Sequence, residues 1–292
     1  MKDSPHLPPH VLDNGFVHIE ALATAGPRIS HLSIPGGKNM FAELPPEDAT
    51  VSVYGEFHAR GGHRLWHAPE ALPRTYIPDD DGVVCEELPD GLRLKGPTEP
   101  GTSIAKTIEI RLAPNRAEAT LTHTLQNRGL WDVELAVWAL SMFRFGGTAI
   151  LPQPVGNTDP AGLLNNRLLA LWPYTSINDP RLVLRDDFIL IRASASKPAV
   201  KIGYYNQHGW LAYWLDGVLF RKTFDLHPGM AYPDGGCNAE SYCGDQFIEL
   251  ETLGPLAKLP AGSSAVLTET WELFTSLDQP FLTPEIQSVL SS

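Results

Sequence analysis

The chain has 292 residues, 43% of them apolar and 19% charged, which is enough for a substantial core in one large β domain or two ordinary ones. Acidic residues outnumber basic ones by 34 to 22, a formal charge of −12 with no lysine or arginine run to interrupt it, so nucleic-acid and anionic-membrane partners are not expected. Twenty-six prolines and 25 glycines point to many turns and few long helices, and three cysteines are too few for a disulfide scaffold.

The opening MKDSPHLPPH has no apolar segment of the secretion-signal kind, and nowhere do about 18 apolar residues run uninterrupted. A soluble, cytoplasmic protein is the expectation. From there the hydrophobic period is mostly two, which predicts strands in GFVHIEAL (15–22), SIAKTIEIRL (103–112), AEATLTHTLQN (117–127), DVELAVWALSMF (132–143), RLVLRDDFILIRAS (181–194) and SSAVLTETWELF (263–274). Turn chemistry separates them: PGG at 35–37, LPDGL at 88–92, NRG at 127–129, and Asp216-Gly217 as a two-residue hairpin between YWL and VLF. At the end, LTPEIQSVLSS predicts a short helix over 283–291 with Thr283 as N-cap before Pro284. No linker composition, solenoid repeat or βαβ alternation is visible, so the chain reads as a single all-β domain over 1–292, a large antiparallel β-sandwich.

Four segments carry candidate chemistry. GGHRLWHAPE (61–70) reads as a strand edge entering an ordered loop; extended, it sends Gly62, Arg64 and Trp66 to one face and His63 and Leu65 to the other. Arg64 beside Trp66 suits a sugar, since a guanidinium donates to hydroxyls and an indole packs on C–H groups; the plain alternative is an Arg64–Glu70 pair under a structural tryptophan. In VLFRKTFDL (218–226), Lys222 lies between Phe220 and Phe224 on one face, headed either into a semi-buried pocket or out to water.

HPGMAYPDGGCNAESYCGD (227–245) is too polar and too rich in glycine and proline for a strand, and as a long ordered loop it offers Asp234 and Glu240 to a site. Cys237 and Cys243 are a poor match to zinc-ligand spacing, and a metal held by Asp234, Glu240 and Asp245 lacks the regular spacing of a calcium loop; no metal is expected. In FIELETLGPL (247–256), Glu249 and Glu251 share a face with Phe247 and Leu253, about 7 Å apart, either as an acid–base pair or as a solvated outer surface. His123 reads as a satisfied core histidine and His208 as a turn residue. Tryptophans 131, 138, 172, 210, 214 and 271 read as mainly core, with Trp66 and Trp138 as the two closest to candidate chemistry. No P-loop, GxSxG, GxGxxG or HExxH is present.

Taken together, the chain resembles the galactose mutarotase-like superfamily, the supersandwich fold of aldose 1-epimerases, in an uncharacterised branch of it. ALATAGPRISHLSIPGGKNMF is similar to the opening strands, GGHRLWHAPE to the segment entering the sugar cleft, and FIELETLGPLAKLPAGSSAVLTETWELF to the C-terminal pattern with a Leu-Glu-Thr triplet, here Leu250-Glu251-Thr252. The resemblance implies that Glu251 is the catalytic base. The family's general-acid histidine has Trp138 at its corresponding position in LAVWALSMF, so His63, or failing it His67, is nominated as acid for its near-neutral pKa.

Arg64, Lys222, Glu240, Glu249 and Asp234 are then expected around the substrate, Trp66 and Trp138 beneath it, with no metal or organic cofactor. The expected function is epimerisation of a free sugar or sugar acid. The alternative is a non-catalytic carbohydrate-binding protein that kept the cleft, and the sparse basic content argues weakly against a sugar-phosphate enzyme.

Overall fold

A computed structural model describes residues 7–45 and 47–275; the helix expected over 283–291 lies outside them. In chain order the strands are β1 (His10–Asp13), β2 (His18–Ala21), β3 (Arg28–Ser33), β4 (Ala49–Ser52), β5 (Gly55–His58), β6 (Gly62–Ala68), β7 (Val84–Leu88) and β8 (Gly91–Thr98). Next come β9 (Ile104–Leu112), β10 (Glu118–Asn127), β11 (Val133–Phe143), β12 (Thr148–Pro152), β13 (Leu169–Leu171), β14 (Leu182–Leu184) and β15 (Phe188–Arg192). The last seven are β16 (Val200–Tyr204), β17 (Trp210–Leu215), β18 (Val218–Phe224), β19 (Ala239–Cys243), β20 (Ile248–Leu253), β21 (Ala257–Leu259) and β22 (Ser264–Thr275).

These strands form two ten-stranded antiparallel sheets. One runs β1-β2-β3-β6-β11-β20-β19-β16-β13, with β21 also on β11; the other runs β14-β15-β12-β17-β18-β22-β10-β9-β8-β7; β4 and β5 make a separate hairpin. The all-β sandwich of the sequence reading is the observed architecture. Asp216 and Gly217 both take positive φ, 50° and 80°, as a tight turn between β17 and β18 requires.

Three expectations are corrected. RLVLRDDFILIRAS is a hairpin, β14 and β15, turning at Arg185–Asp187, because two adjacent aspartates interrupt the apolar run. The 227–245 stretch contains strand β19, whose Ala239, Ser241 and Cys243 are buried against the second sheet despite the polar composition around them. Finally, β6 is an interior strand paired with β3 and β11, not a strand edge. Gly61 and Gly62 make that entry possible: both have positive φ, and a Cβ would fall 1.9 Å from the Ala42 carbonyl oxygen at one and 2.1 Å from that of Ile29 at the other.

The main core lies between the sheets, where Ile29, Leu65, Val137, Ile202 and Leu250 of the first meet Leu94, Ile108, Leu121, Phe220 and Trp271 of the second. A second apolar cluster, Phe57, Trp66, Trp138, Leu140 and Leu253, lies on the first sheet's other face. The first sheet is therefore buried on both sides along its central strands, and β6 has no exposed residue.

A polar layer is sealed inside the main core. Lys222 Nζ donates to the Leu250 carbonyl at 2.9 Å and lies 3.2 Å from Glu269 Oε1, while Trp271 Nε1 donates to Glu269 Oε2 at 2.7 Å. His123 Nδ1 donates to the Leu267 carbonyl (3.1 Å), which leaves its Nε2 to accept from His63 Nε2 at 2.7 Å; His63 Nδ1 accepts from Ser141 Oγ at 2.9 Å. Both rings are thus neutral. Burial, then repulsion from His123 and Lys222, holds the His63 pKa well below its ordinary value.

Removing one partner of a buried pair leaves an uncompensated charge. Glu269→Ala is therefore expected to lower unfolding free energy by about 3–5 kcal/mol in urea titration, with much of the loss recovered in Lys222→Met/Glu269→Leu. A loss under about 1 kcal/mol would show that water reaches the pair.

Candidate functional site

The candidate site grows from strand alternation on the first sheet's open face. Cross-strand pairing sets Arg64 opposite Leu140 and Trp66 opposite Trp138 (β6 on β11), Leu140 opposite Glu251 and Met142 opposite Glu249 (β11 on β20), Glu251 opposite Glu240 (β20 on β19) and Lys201 opposite Tyr242 (β19 on β16). Five adjacent strands thereby send their polar and aromatic side chains to one surface. Above it is a cavity of about 450 Å³, lined from the sheet by Arg64, Trp66, Trp138, Lys201 and Glu249, and from the surrounding segments by Phe57, Glu70, Tyr76, Trp172 and Tyr174. That volume lies in the range of small-molecule sites.

Two charge groups occupy the floor. Arg64 pairs with Glu249 at 3.0 Å, its guanidinium 4.1 Å over the Trp66 ring. Lys201 lies 2.8 Å from Glu240 and 2.9 Å from Glu251, over the rings of Trp138 and Trp172 at 5.0 and 4.5 Å. Trp138 Nε1 donates to the same Glu251 oxygen, Oε2, at 2.9 Å, while Glu251 Oε1 and Arg64 Nε are buried with no partner within the protein. Glu240 Oε1 is likewise without a partner, so two acceptors and one donor are unspent among the buried polar groups here.

Burial pushes the Glu249 carboxyl up to about 7, with repulsion from Glu251 adding to it and Arg64 opposing it. Burial also drives Glu240 well above the ordinary carboxylate range, since the one Lys201 ammonium serves two acids. Burial works against the Lys201 ammonium in turn, yet Glu251 and Glu240 hold its pKa well above that of a free lysine.

Placed against the sequence reading, Arg64, Trp66, Trp138 and Glu249 line the cavity, whereas Glu251 and Glu240 are fully buried and do not line it but lie beneath its floor in contact with Lys201. The solvated-face alternative for Glu249 and Glu251 does not hold, because both are buried. The Arg64–Glu70 alternative does not hold either: Arg64 pairs with Glu249, and Glu70 accepts from the Tyr76 hydroxyl. Asp234 lines a small neighbouring recess that shares Trp172 with the main cavity.

His63, His67 and Lys222 are not brought to the cavity. His63 and Lys222 project from the opposite faces into the core. His67, on the same side as His63, meets Glu99 at 3.2 Å beside a separate cleft of about 420 Å³. The physical reason is the period of two: His63 and His67 must diverge from Arg64 and Trp66 when no bulge intervenes.

Cys237 and Cys243 are free and buried; Cys237 Sγ donates to the Asp234 carbonyl at 3.1 Å, and Asp245 pairs with Lys197 at 2.8 Å. Among the described residues, the His/Cys/Asp/Glu set whose ligand atoms come within 4.8 Å of one another is His63, His123 and Glu269. It lies in the sealed core layer, where Lys222 already neutralises the glutamate.

Lys201 is the residue that the sequence reading missed. Its signal was present: in VKIGY, Lys201 alternates with Val200 and Ile202 just as Lys222 alternates with its neighbours. Trp172 is half-buried at the cavity wall and Trp131 is 80% exposed, so neither is core.

No protein-family model matches the chain, and no curated protein matches it. Among solved structures, the Slr1438 protein from Synechocystis sp. PCC 6803 is similar at TM-score 0.56 and 12% identity, over 94% of this chain and 97% of that one. A galactose mutarotase-like protein from Lactobacillus casei is similar at TM-score 0.54 and 9% identity (91% and 100%), and a galactose mutarotase related enzyme from Lactobacillus acidophilus at 0.54 and 9% (94% and 100%). The fold is that of the galactose mutarotase-like structures.

Because the Glu249 carboxyl titrates near 7 beside Arg64 and Trp66, tryptophan emission is expected to change with a midpoint near that pH, and Glu249→Gln is expected to abolish the change. The sign for stability follows from the raised pKa: the protonated carboxyl favours the folded chain below its unfolded pKa, and that contribution is lost as pH rises through about 7. Urea midpoints of wild type relative to Glu249→Gln should fall over that interval. A flat difference would place the titration elsewhere.

Proposed function

We propose that the cavity binds a free monosaccharide and interconverts its anomers. The observation that carries this reading is the pair Glu249 and Glu251, two residues apart on one face of β20, the first lining an aromatic-walled cavity against Arg64 and the second just beneath its floor against the Lys201 that it shares with Glu240. Indole and phenol faces suit the C–H surfaces of a pyranose, and the unspent Arg64 Nε and Glu251 Oε1 suit its hydroxyls.

Anomer exchange needs a base and an acid. The base takes the proton of the anomeric hydroxyl as the bond from that carbon to the ring oxygen breaks, and the acid protonates the ring oxygen. After rotation about the bond to the next carbon, the roles reverse and the ring closes on the other face. Glu251 is assigned as base: Lys201 and Trp138 hold one of its oxygens and leave the other free. Glu249 is assigned as acid, since a carboxyl poised near 7 both gives and takes a proton at neutral pH. It replaces His63 and His67 in that role, because neither imidazole lines the cavity.

A second reading, carbohydrate binding without turnover, is favoured by the ion pairs that already engage both glutamates. The two readings separate in one experiment. The optical rotation of fresh α-glucose and α-galactose is followed with wild type, Glu251→Gln and Glu249→Gln, alongside binding by tryptophan fluorescence. Acceleration lost by about 100-fold or more in Glu251→Gln with binding retained supports the enzyme, as does a fall in rate as pH rises through about 7 that Glu249→Gln removes. Binding with no acceleration by wild type supports the binding protein. Absence of binding by any monosaccharide overturns both.

A further inference from the structure

The charges around the cavity are unequal. The cations lining it, among the described residues, are Arg64 and Lys201, and both are engaged, Arg64 by Glu249 and Lys201 by Glu240 and Glu251. Against these two stand four carboxyls, Glu70 in the wall, Glu249 in the floor, and Glu251 and Glu240 at Lys201, with Asp234 in the neighbouring recess. The acids exceed the cations even before Asp234 is counted.

Two further observations point to what would balance them. Glu251 Oε1 is fully buried and has no donor, although an acceptor so placed ordinarily finds one. The remaining wall is aromatic, with Phe57, Tyr76, Tyr174 and Tyr242 presenting rings, which attract cations through their faces. An anionic group on the ligand would find no unengaged cation in the lining and would have to break an existing ion pair to reach one.

Resting on the reading of the cavity as a monosaccharide site, we infer that its preferred ligand carries a protonated amine, an amino sugar in place of a neutral sugar, a sugar acid or a sugar phosphate. The ammonium supplies donors, and a positive charge that one of the protonated acids can balance by ionising. Its arrival has a second consequence. Glu240 and Glu249 hold their protons because burial and Glu251 disfavour further negative charge, and a third cation relieves that constraint, so the amine binds with release of a proton to solvent.

Isothermal titration of wild type at about pH 6.5, where an ordinary amine is protonated, tests this with glucosamine, galactosamine, their N-acetyl forms, the parent hexoses and glucuronate. The amino sugars are expected to bind about tenfold or more tightly than the parent hexoses, and N-acetylation should remove the advantage. Measured in two buffers of different ionisation heat, the amino sugars should release a proton and the parent hexoses should not. Glu249→Gln should shrink both the preference and the release; because the ligand comparison is made on wild type, a variant that fails to fold leaves the test intact. Equal binding of amino and neutral sugars, or tighter binding of glucuronate, overturns the inference while leaving the sugar-site reading standing. Absence of binding by every sugar overturns both.

Discussion

One ammonium holds the open face of the first sheet together. Lys201 lies between two carboxyls that β-pairing sets directly opposite each other, Glu240 on β19 and Glu251 on β20, and it is covered by the rings of Trp138 and Trp172. Two buried acids facing each other across strands repel, and like charges directly opposite weaken a sheet. The lysine makes the pairing tolerable, but one positive charge cannot satisfy both, so Glu240 is pushed toward its neutral form. The floor of the cavity is therefore a strained electrostatic arrangement, kept because the surrounding sheet is rigid and buried on both faces.

Strand alternation made much of the fold legible. The predicted strands at 103–112, 117–127, 132–143 and 263–274 are β9, β10, β11 and β22 within a residue or two at each end: β9, β10 and β22 alternate between core and surface, and β11 is a long apolar run buried on both faces. Alternation also divided Arg64 and Trp66 from His63 correctly, and grouped Glu249 with Glu251. It failed where both faces of a strand are buried. There a polar residue on the second face reads as a surface residue, which is how two buried glutamates looked like a solvated edge.

The remaining misreadings concern which buried face belongs to which neighbour. Lys201 and Lys222 have nearly the same local pattern, a lysine flanked by apolar residues in a strand. One is on the first sheet facing the cavity and the other on the second sheet facing the core. Nothing within about ten residues of either distinguishes them, because the difference is set by which sheet the strand joins, a long-range property. The histidines obeyed the same geometry. Their near-neutral titration made them attractive acids, yet the side of β6 from which they project leads into the core and to an edge cleft.

The two polar layers meet through β20. On the core side, Lys222 bonds the carbonyl of Leu250 and lies 3.5 Å from the hydroxyl of Thr252, the residues on either side of Glu251 in the chain. On the cavity side, Lys201 and Trp138 bond Glu251 itself. A shift of this strand along its axis would break the buried Lys222–Leu250 hydrogen bond beneath and the nearly buried Lys201–Glu251 ion pair above, each costly to leave unpaired. The backbone of Glu251 is thus clamped from behind by groups that never reach the cavity, and its free oxygen is fixed in place before any ligand arrives. For the base proposed above, that is the preorganisation proton transfer needs, and the sandwich supplies it by burying charge on both sides of a single strand.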